Sequence, residues 1–61
     1  MNKLLSVREA ASLIGVGKDK LYEIIREHAD FPAFKIGQIT KIHPLKLDRW
    51  LIRVIEEDRK L

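Results

Sequence analysis

Two apolar stripes of helical spacing stand back to back across a Gly15-Val16-Gly17 break, and this limits what the chain can fold into more than any other feature. Val7, Ala10, Ala11 and Ile14 recur at i, i+3, i+4 and i+7, which places them on one face of a helix. Leu21, Ile24, Ile25 and His28 repeat the spacing directly after the glycines. Ser6 and Glu9 have the S-x-x-E spacing of a capping box, which fixes the start of the first helix. Gly15 ends it, because glycine tolerates a positive φ; Val16 is expected to tuck inward. Asp19 falls in the first turn of the second helix, at the positive end of its dipole. Two short amphipathic helices joined by a glycine-containing turn read as a helix-turn-helix. A plain helical hairpin with no binding role has the same spacing. Two alanines on the first stripe allow the second helix close.

The remainder of the chain breaks helical spacing and then returns to it. His28-Ala29-Asp30-Phe31-Pro32 reads as a connection, since Pro32 disfavours helix at Phe31. Ala33 to Ile36 and Ile39 to Ile42 read as two short strands around Gly37-Gln38. Two registers are open. A two-residue loop pairs Ile36 with Ile39; a three-residue loop pairs Ile36 with Thr40, Lys35 with Lys41 and Phe34 with Ile42. The second is preferred, because it gathers Phe34, Ile36 and Ile42 on the core face and both lysines on the solvent face. Ile39 would then sit near the exposed tip. Pro44 suits the first turn of a last helix, whose stripe is Leu47, Trp50, Leu51 and Val54, with Ile55 beside it. The charged stretch Glu56 to Lys60 is expected to fray.

At 61 residues the chain has room for one domain, taken as 1–61. It has no cysteine, which removes disulfides and thiolate metal sites. No apolar run reaches the length of a membrane span, and Met1 to Leu5 lacks the apolar core of a signal peptide; the expectation is a cytoplasmic protein without membrane association. The net charge of +3 favours polyanions.

Catalysis finds little support. His28 and His43 fit no metal-ligand spacing, the three glycines fit turns rather than a phosphate loop, and Ser6 and Ser12 have no base in prospect. A chain this short hardly encloses a pocket of roughly 300 Å³. No catalytic residue, metal or cofactor is assigned, and the expectation is a protein that is not an enzyme. His28 reads as a half-buried helix-end residue, His43 as a solvated or capping one, and Trp50, on a clean apolar stripe, as core.

With its stripe inward, the second helix points Lys18, Asp19, Tyr22, Glu23 and Arg26 outward, with Lys20 near the edge. Lys18, Tyr22 and Arg26 recur every four residues and make one ridge. In a helix-turn-helix the second helix enters the major groove; Tyr22 can donate to phosphate or lie against a thymine methyl, and Arg26 can clamp phosphate or a guanine edge. Glu23 repels phosphate unless it accepts from a cytosine amine. A solvated charged face would look the same. The hairpin, with Lys35, Gln38, Thr40 and Lys41, is read as a wing reaching the DNA backbone or minor groove; lysines guarding an edge strand are the other reading.

Four segments in order carry a resemblance. Leu4 to Val16 (LLSVREAASLIGV), Leu21 to Arg26 (LYEIIR), Phe31 to Gly37 (FPAFKIG) and Leu47 to Leu51 (LDRWL) resemble the excisionase-type, MerR-like winged helix-turn-helix DNA-binding domains over nearly the whole chain. The resemblance implies a mostly α fold with a small β-hairpin wing and a closing helix. It implies double-stranded DNA as partner, bound through the second helix and the hairpin, with integrase and further copies of the protein on the same DNA. Excisionases make no covalent change; they bend attachment-site DNA and help integrase excise a mobile element. That the chain amounts to the DNA-binding domain alone favours this reading over a small prophage or plasmid transcriptional regulator. A third reading is a protein-binding adaptor using Trp50, Ile39 and the acidic end. The chain departs from the family at Gly17, where a serine or threonine cap is usual, at Glu23, where arginine is usual, and at the tip, where Gly37-Gln38-Ile39 lacks the family's arginine. The connection before Pro32 is about one residue longer and lacks the family's glycine.

Overall fold

The computed structural model describes residues 3–61; Met1 and Asn2, which belong to the stretch read for a leader, lie outside the described residues. In chain order the elements are β1 (Leu5–Ser6), α1 (Val7–Ile14), α2 (Lys18–Glu27), β2 (Ala33–Ile36), β3 (Ile39–Ile42) and α3 (Pro44–Glu56). This is a mostly α, winged helix-turn-helix architecture. No helix among the described residues is long and apolar enough to cross a membrane.

α1 starts as its spacing predicts. Ser6 is the N-cap: its Oγ accepts from the Glu9 backbone N–H at 3.0 Å, and the Ser6 N–H donates to Glu9 Oε1 at 2.9 Å. The Glu9 carboxyl is held below its ordinary value of 4.5, first by that Ser6 backbone N–H and then by the Lys3 ammonium. Gly15 ends the helix at φ 90°. α2 begins at Gly17 with no side-chain cap, and α3 begins at His43, whose Nδ1 accepts from the Lys46 N–H at 3.4 Å, with Pro44 in its first turn.

The three helical stripes meet in one core. Val7, Ala10 and Ala11 from α1, Leu21 and Ile24 from α2, and Leu47, Trp50 and Val54 from α3 are buried, together with Phe31 and Ile42. Ile14, Val16, Ile25 and Leu51 pack against them at the edge. Trp50 is 3% exposed and meets the Phe31 ring edge-on at 4.8 Å and the His28 ring at 5.8 Å. Ile55, beside the stripe in sequence, is exposed.

The hairpin takes the other register. Ala33 pairs with Ile42, Phe34 with Lys41, Lys35 with Thr40 and Ile36 with Ile39, so the loop is Gly37-Gln38. Gly37 has φ 63° and Gln38 does not have a positive φ, the pattern of a type II′ turn. The preference for a three-residue loop is therefore overturned, and with it the placement of Phe34 and Ile36 in the core and of both lysines on one face. Phe31 explains the phase: it already fills the core position beside Trp50, and counting by twos from it brings Ala33 inward and leaves Phe34 outside. Lys35 and Lys41 consequently lie on opposite faces of the hairpin.

β1 was not anticipated. Leu5 pairs with Ile42 and Ser6 with Lys41, completing a three-stranded sheet in the order β1-β3-β2. The chain end is also more ordered than its charge suggested. Asp58 adopts φ 53°, a conformation Asp tolerates, and the Arg59 N–H donates to the Val54 carbonyl at 3.1 Å. The Arg59 guanidinium then forks onto Asp30 with bonds of 3.1 and 2.9 Å and also reaches Glu57. The expected fraying thus gives way to a helix end folded back onto the α2–β2 connection.

Candidate nucleic-acid interface

α2 turns its apolar stripe inward because Leu21 and Ile24 are held in the core, and this fixes what it shows outside. Lys18, Asp19 and Arg26 are exposed, Tyr22 is 47% exposed, and Lys20 and Glu23 are half-buried. Lys18 and Arg26, eight residues apart, are separated by about 12 Å along the helix axis. The Lys20 ammonium lies 3.8 Å from Glu23, so the one outward carboxylate in the middle of the ridge has a cation beside it. That lowers its repulsion of a phosphate at little energetic cost, since exposed pairs of this kind are easily exchanged.

The start of α2 and the hairpin tip border one open cleft of about 370 Å³. Of the residues singled out in the sequence, Lys18 and Tyr22 line it from α2, and Gln38 and Thr40 from the hairpin. Arg8, Ser6 and Ile39 also line it. Arg8 was missed: it lies outside the α1 stripe, and only the approach of the hairpin to α1 through β1 gives it a neighbour across the cleft. Asp19, Lys20, Glu23 and Arg26 stay on the outer side of α2, and Lys35 and Lys41 stand on the two faces of the wing, outside the cleft lining. A duplex seated against the ridge would therefore meet a helix and a ribbon with the hollow between them. That is the usual division between a groove-entering helix and a backbone-contacting wing.

The uncapped start of α2 suits the same use. With Gly17 at the N-cap, the first backbone N–H groups have no side-chain acceptor, and such groups carry partial positive charge. The start of α1, by contrast, is closed by its own box.

A second hollow of similar volume lies beside Trp50, where Asp30 faces Lys46, Arg49 and Arg53 from α3. These cations recur at i, i+3 and i+7, a spacing legible in the sequence but not singled out there. Asp30 belongs to the clamp described above: the Arg59 fork holds its carboxyl well below the usual carboxylate range, with the Trp50 indole N–H as the next contributor. That N–H falls short of a hydrogen bond, and Nε1 is the one buried side-chain polar atom without a partner among the described residues. The stronger influence on Asp30 is thus the guanidinium, whose contacts are short and paired. His28 and His43 serve the Trp50 contact and the α3 cap. Among the described residues no group of three His, Cys, Asp or Glu side chains lies close enough to hold a metal.

A family model described as a helix-turn-helix domain matches residues 4–54, which takes in every element up to the last turn of α3. No curated protein and no solved structure gives a significant match to the chain.

Proposed function

Because the chain belongs to the helix-turn-helix domain family, we propose that it recognises a specific duplex sequence through α2 and the wing, and that it acts as an excisionase. In this reading Tyr22 and Arg26, with Lys18, Asp19, Lys20 and Glu23 around them, face the major groove, and Lys35, Gln38, Thr40 and Lys41 contact the backbone or minor groove. The observation that carries it is that Lys18 and Tyr22, at the start of the exposed α2 ridge, share one cleft with the hairpin tip. The protein makes no covalent change: it binds and bends attachment-site DNA and assists integrase, with further copies bound alongside. The order of the four resembling segments supports a DNA-binding winged helix-turn-helix of the excisionase type. A small transcriptional regulator of a prophage or plasmid would use the same surface, and the site of binding separates the two.

Footprinting the purified protein on fragments that carry the attachment-site arms and promoters of its own element tests this directly. Protection in the arms is the expected result. Protection confined to a promoter would make the protein a regulator. Absence of protection at low salt, where phosphate contacts are strongest, would remove the DNA-binding reading and leave the protein-binding adaptor.

A further inference from the structure

The hairpin ends in an apolar pair where a surface turn would ordinarily be polar. Ile36 and Ile39 are directly opposite each other across the Gly37-Gln38 turn, on the same face of the sheet, and are 54% and 60% exposed. Phe34 continues that face and is also exposed. Neither isoleucine supports the fold: the core is closed without them. A contiguous exposed apolar patch generally marks a contact surface.

Its place on the molecule indicates what it contacts. Ile39 borders the cleft that also holds Lys18 and Tyr22, so the patch continues the surface read above as facing DNA. Lys41 shares the apolar face, directly opposite Phe34, and Lys35 lies on the other face beside Ile36 in sequence, which puts positive charge on both faces of the ribbon behind its apolar tip. An isoleucine has no donor or acceptor with which to read a base edge. What it can do is take over stacking contact from a base pair, as apolar wedges do when they enter a minor groove and open a base step. The minor groove is only about 6 Å wide, comparable to the roughly 4.8 Å between two strand backbones before any side chain is counted. A ribbon tip can therefore reach the base step only if the groove widens, which a kink provides. Gln38, at the apex, carries an amide suited to the acceptors that A·T pairs show there.

We propose that the Ile36–Ile39 pair is a wedge that inserts into the minor groove at a flexible pyrimidine–purine step and kinks the duplex, while the lysines on either side hold the flanking phosphates. The proposal rests on the cleft being the DNA-facing surface, and its test separates the two. A duplex selected by the protein from a random pool is labelled for end-to-end energy transfer, and 2-aminopurine is placed at each candidate step. The wild-type protein shortens the end-to-end distance, corresponding to a bend of some tens of degrees, and raises the fluorescence at one step. Ile36→Ser and Ile39→Ser each remove most of the bend and the fluorescence rise while weakening binding by about tenfold or less, and Ile39→Leu retains both. Both serine variants stay folded, since the side chains are exposed. Binding by wild type with a straight, fully stacked duplex overturns the wedge and leaves DNA recognition standing. Failure of the pool to yield any bound duplex overturns both. A DNA-free dimer that Ile39→Ser dissociates would also overturn it, by assigning the patch to contact between copies.

Discussion

The end of the molecule built around Trp50 and the end built around the cleft are organised in opposite ways. At the first, side chains are used up on one another: Trp50 is enclosed by Phe31 and His28, Asp30 is forked by Arg59, and the chain end folds back by backbone hydrogen bonds. At the second, Lys18, Tyr22, Gln38 and Ile39 project into solvent, α2 starts without a side-chain cap, and the hairpin tip from Ile36 to Ile39 buries no side chain. The difference teaches that the residues closing the core and those proposed to meet DNA are separate sets, so substitutions should divide cleanly between the two.

The strongest test of that division is Trp50→Ala. Removing a buried indole should cost about 3–5 kcal/mol, which for a domain of this size approaches its whole stability; urea denaturation followed by circular dichroism reads it, and a stable folded variant would show that the closed end is not what holds the molecule together. Next come Arg26→Ala and Lys35→Ala, expected to leave the denaturation midpoint unchanged while weakening DNA binding by roughly tenfold each. Each should also make the plot of log affinity against log salt shallower, by about 0.9 for every phosphate the variant no longer neutralises. Unchanged affinity in both would place recognition elsewhere. Ser6→Ala should then cost about 1 kcal/mol through loss of the α1 cap, measured in the same denaturation series, with DNA affinity little altered because the cap oxygen is engaged with Glu9. The smallest effect concerns pH. Asp30 and Glu9 both titrate below their ordinary values, so their contribution is present above about pH 5 and is lost as the pH falls through the ordinary values and on towards the depressed ones. Arg59→Ala should flatten part of the fall in thermal stability between about pH 5 and pH 2. An unaltered pH profile would mean that the clamp carries no net weight, as is common for solvent-screened ion pairs.

The three helices were legible because each carries a full i, i+3, i+4, i+7 stripe and a chemical start: Ser6 with Glu9, Asp19 after the glycines, and Pro44. What escaped was whatever depends on a distant partner. β1 has two residues, too few for alternation to show. Counting apolar residues chose the wrong hairpin register, because Phe34, Ile36 and Ile42 look like a core set until Phe31 is seen to occupy that space. The Arg59–Asp30 clamp joins residues 29 apart, a separation that leaves no trace in local spacing. For the candidate site, the outward ridge of α2 followed from helical geometry alone, whereas Arg8 entered only once β1 had drawn the hairpin against the start of α1, and Ile39, exposed at the tip as expected, gained its place beside the α2 ridge the same way. The lysines of the wing stand out by charge, but the three-residue loop put them on one face where the pairing puts them on two.

The two residues of β1 also set an order of events at the ribosome. Ile42, the partner of Leu5, lies 37 positions further along the chain. At about 5–20 residues per second it is synthesised roughly two to seven seconds after Leu5. α1 and α2 touch through near neighbours, but at 8 and 10 residues they are too short to persist by themselves, and the core they pack into waits for Leu47, Trp50 and Val54 of α3. The sheet cannot close until the whole hairpin has left the exit tunnel. The nascent chain therefore passes through a stage with the edge at Leu5 unpaired, and at this stage that edge is open to mispairing with another strand.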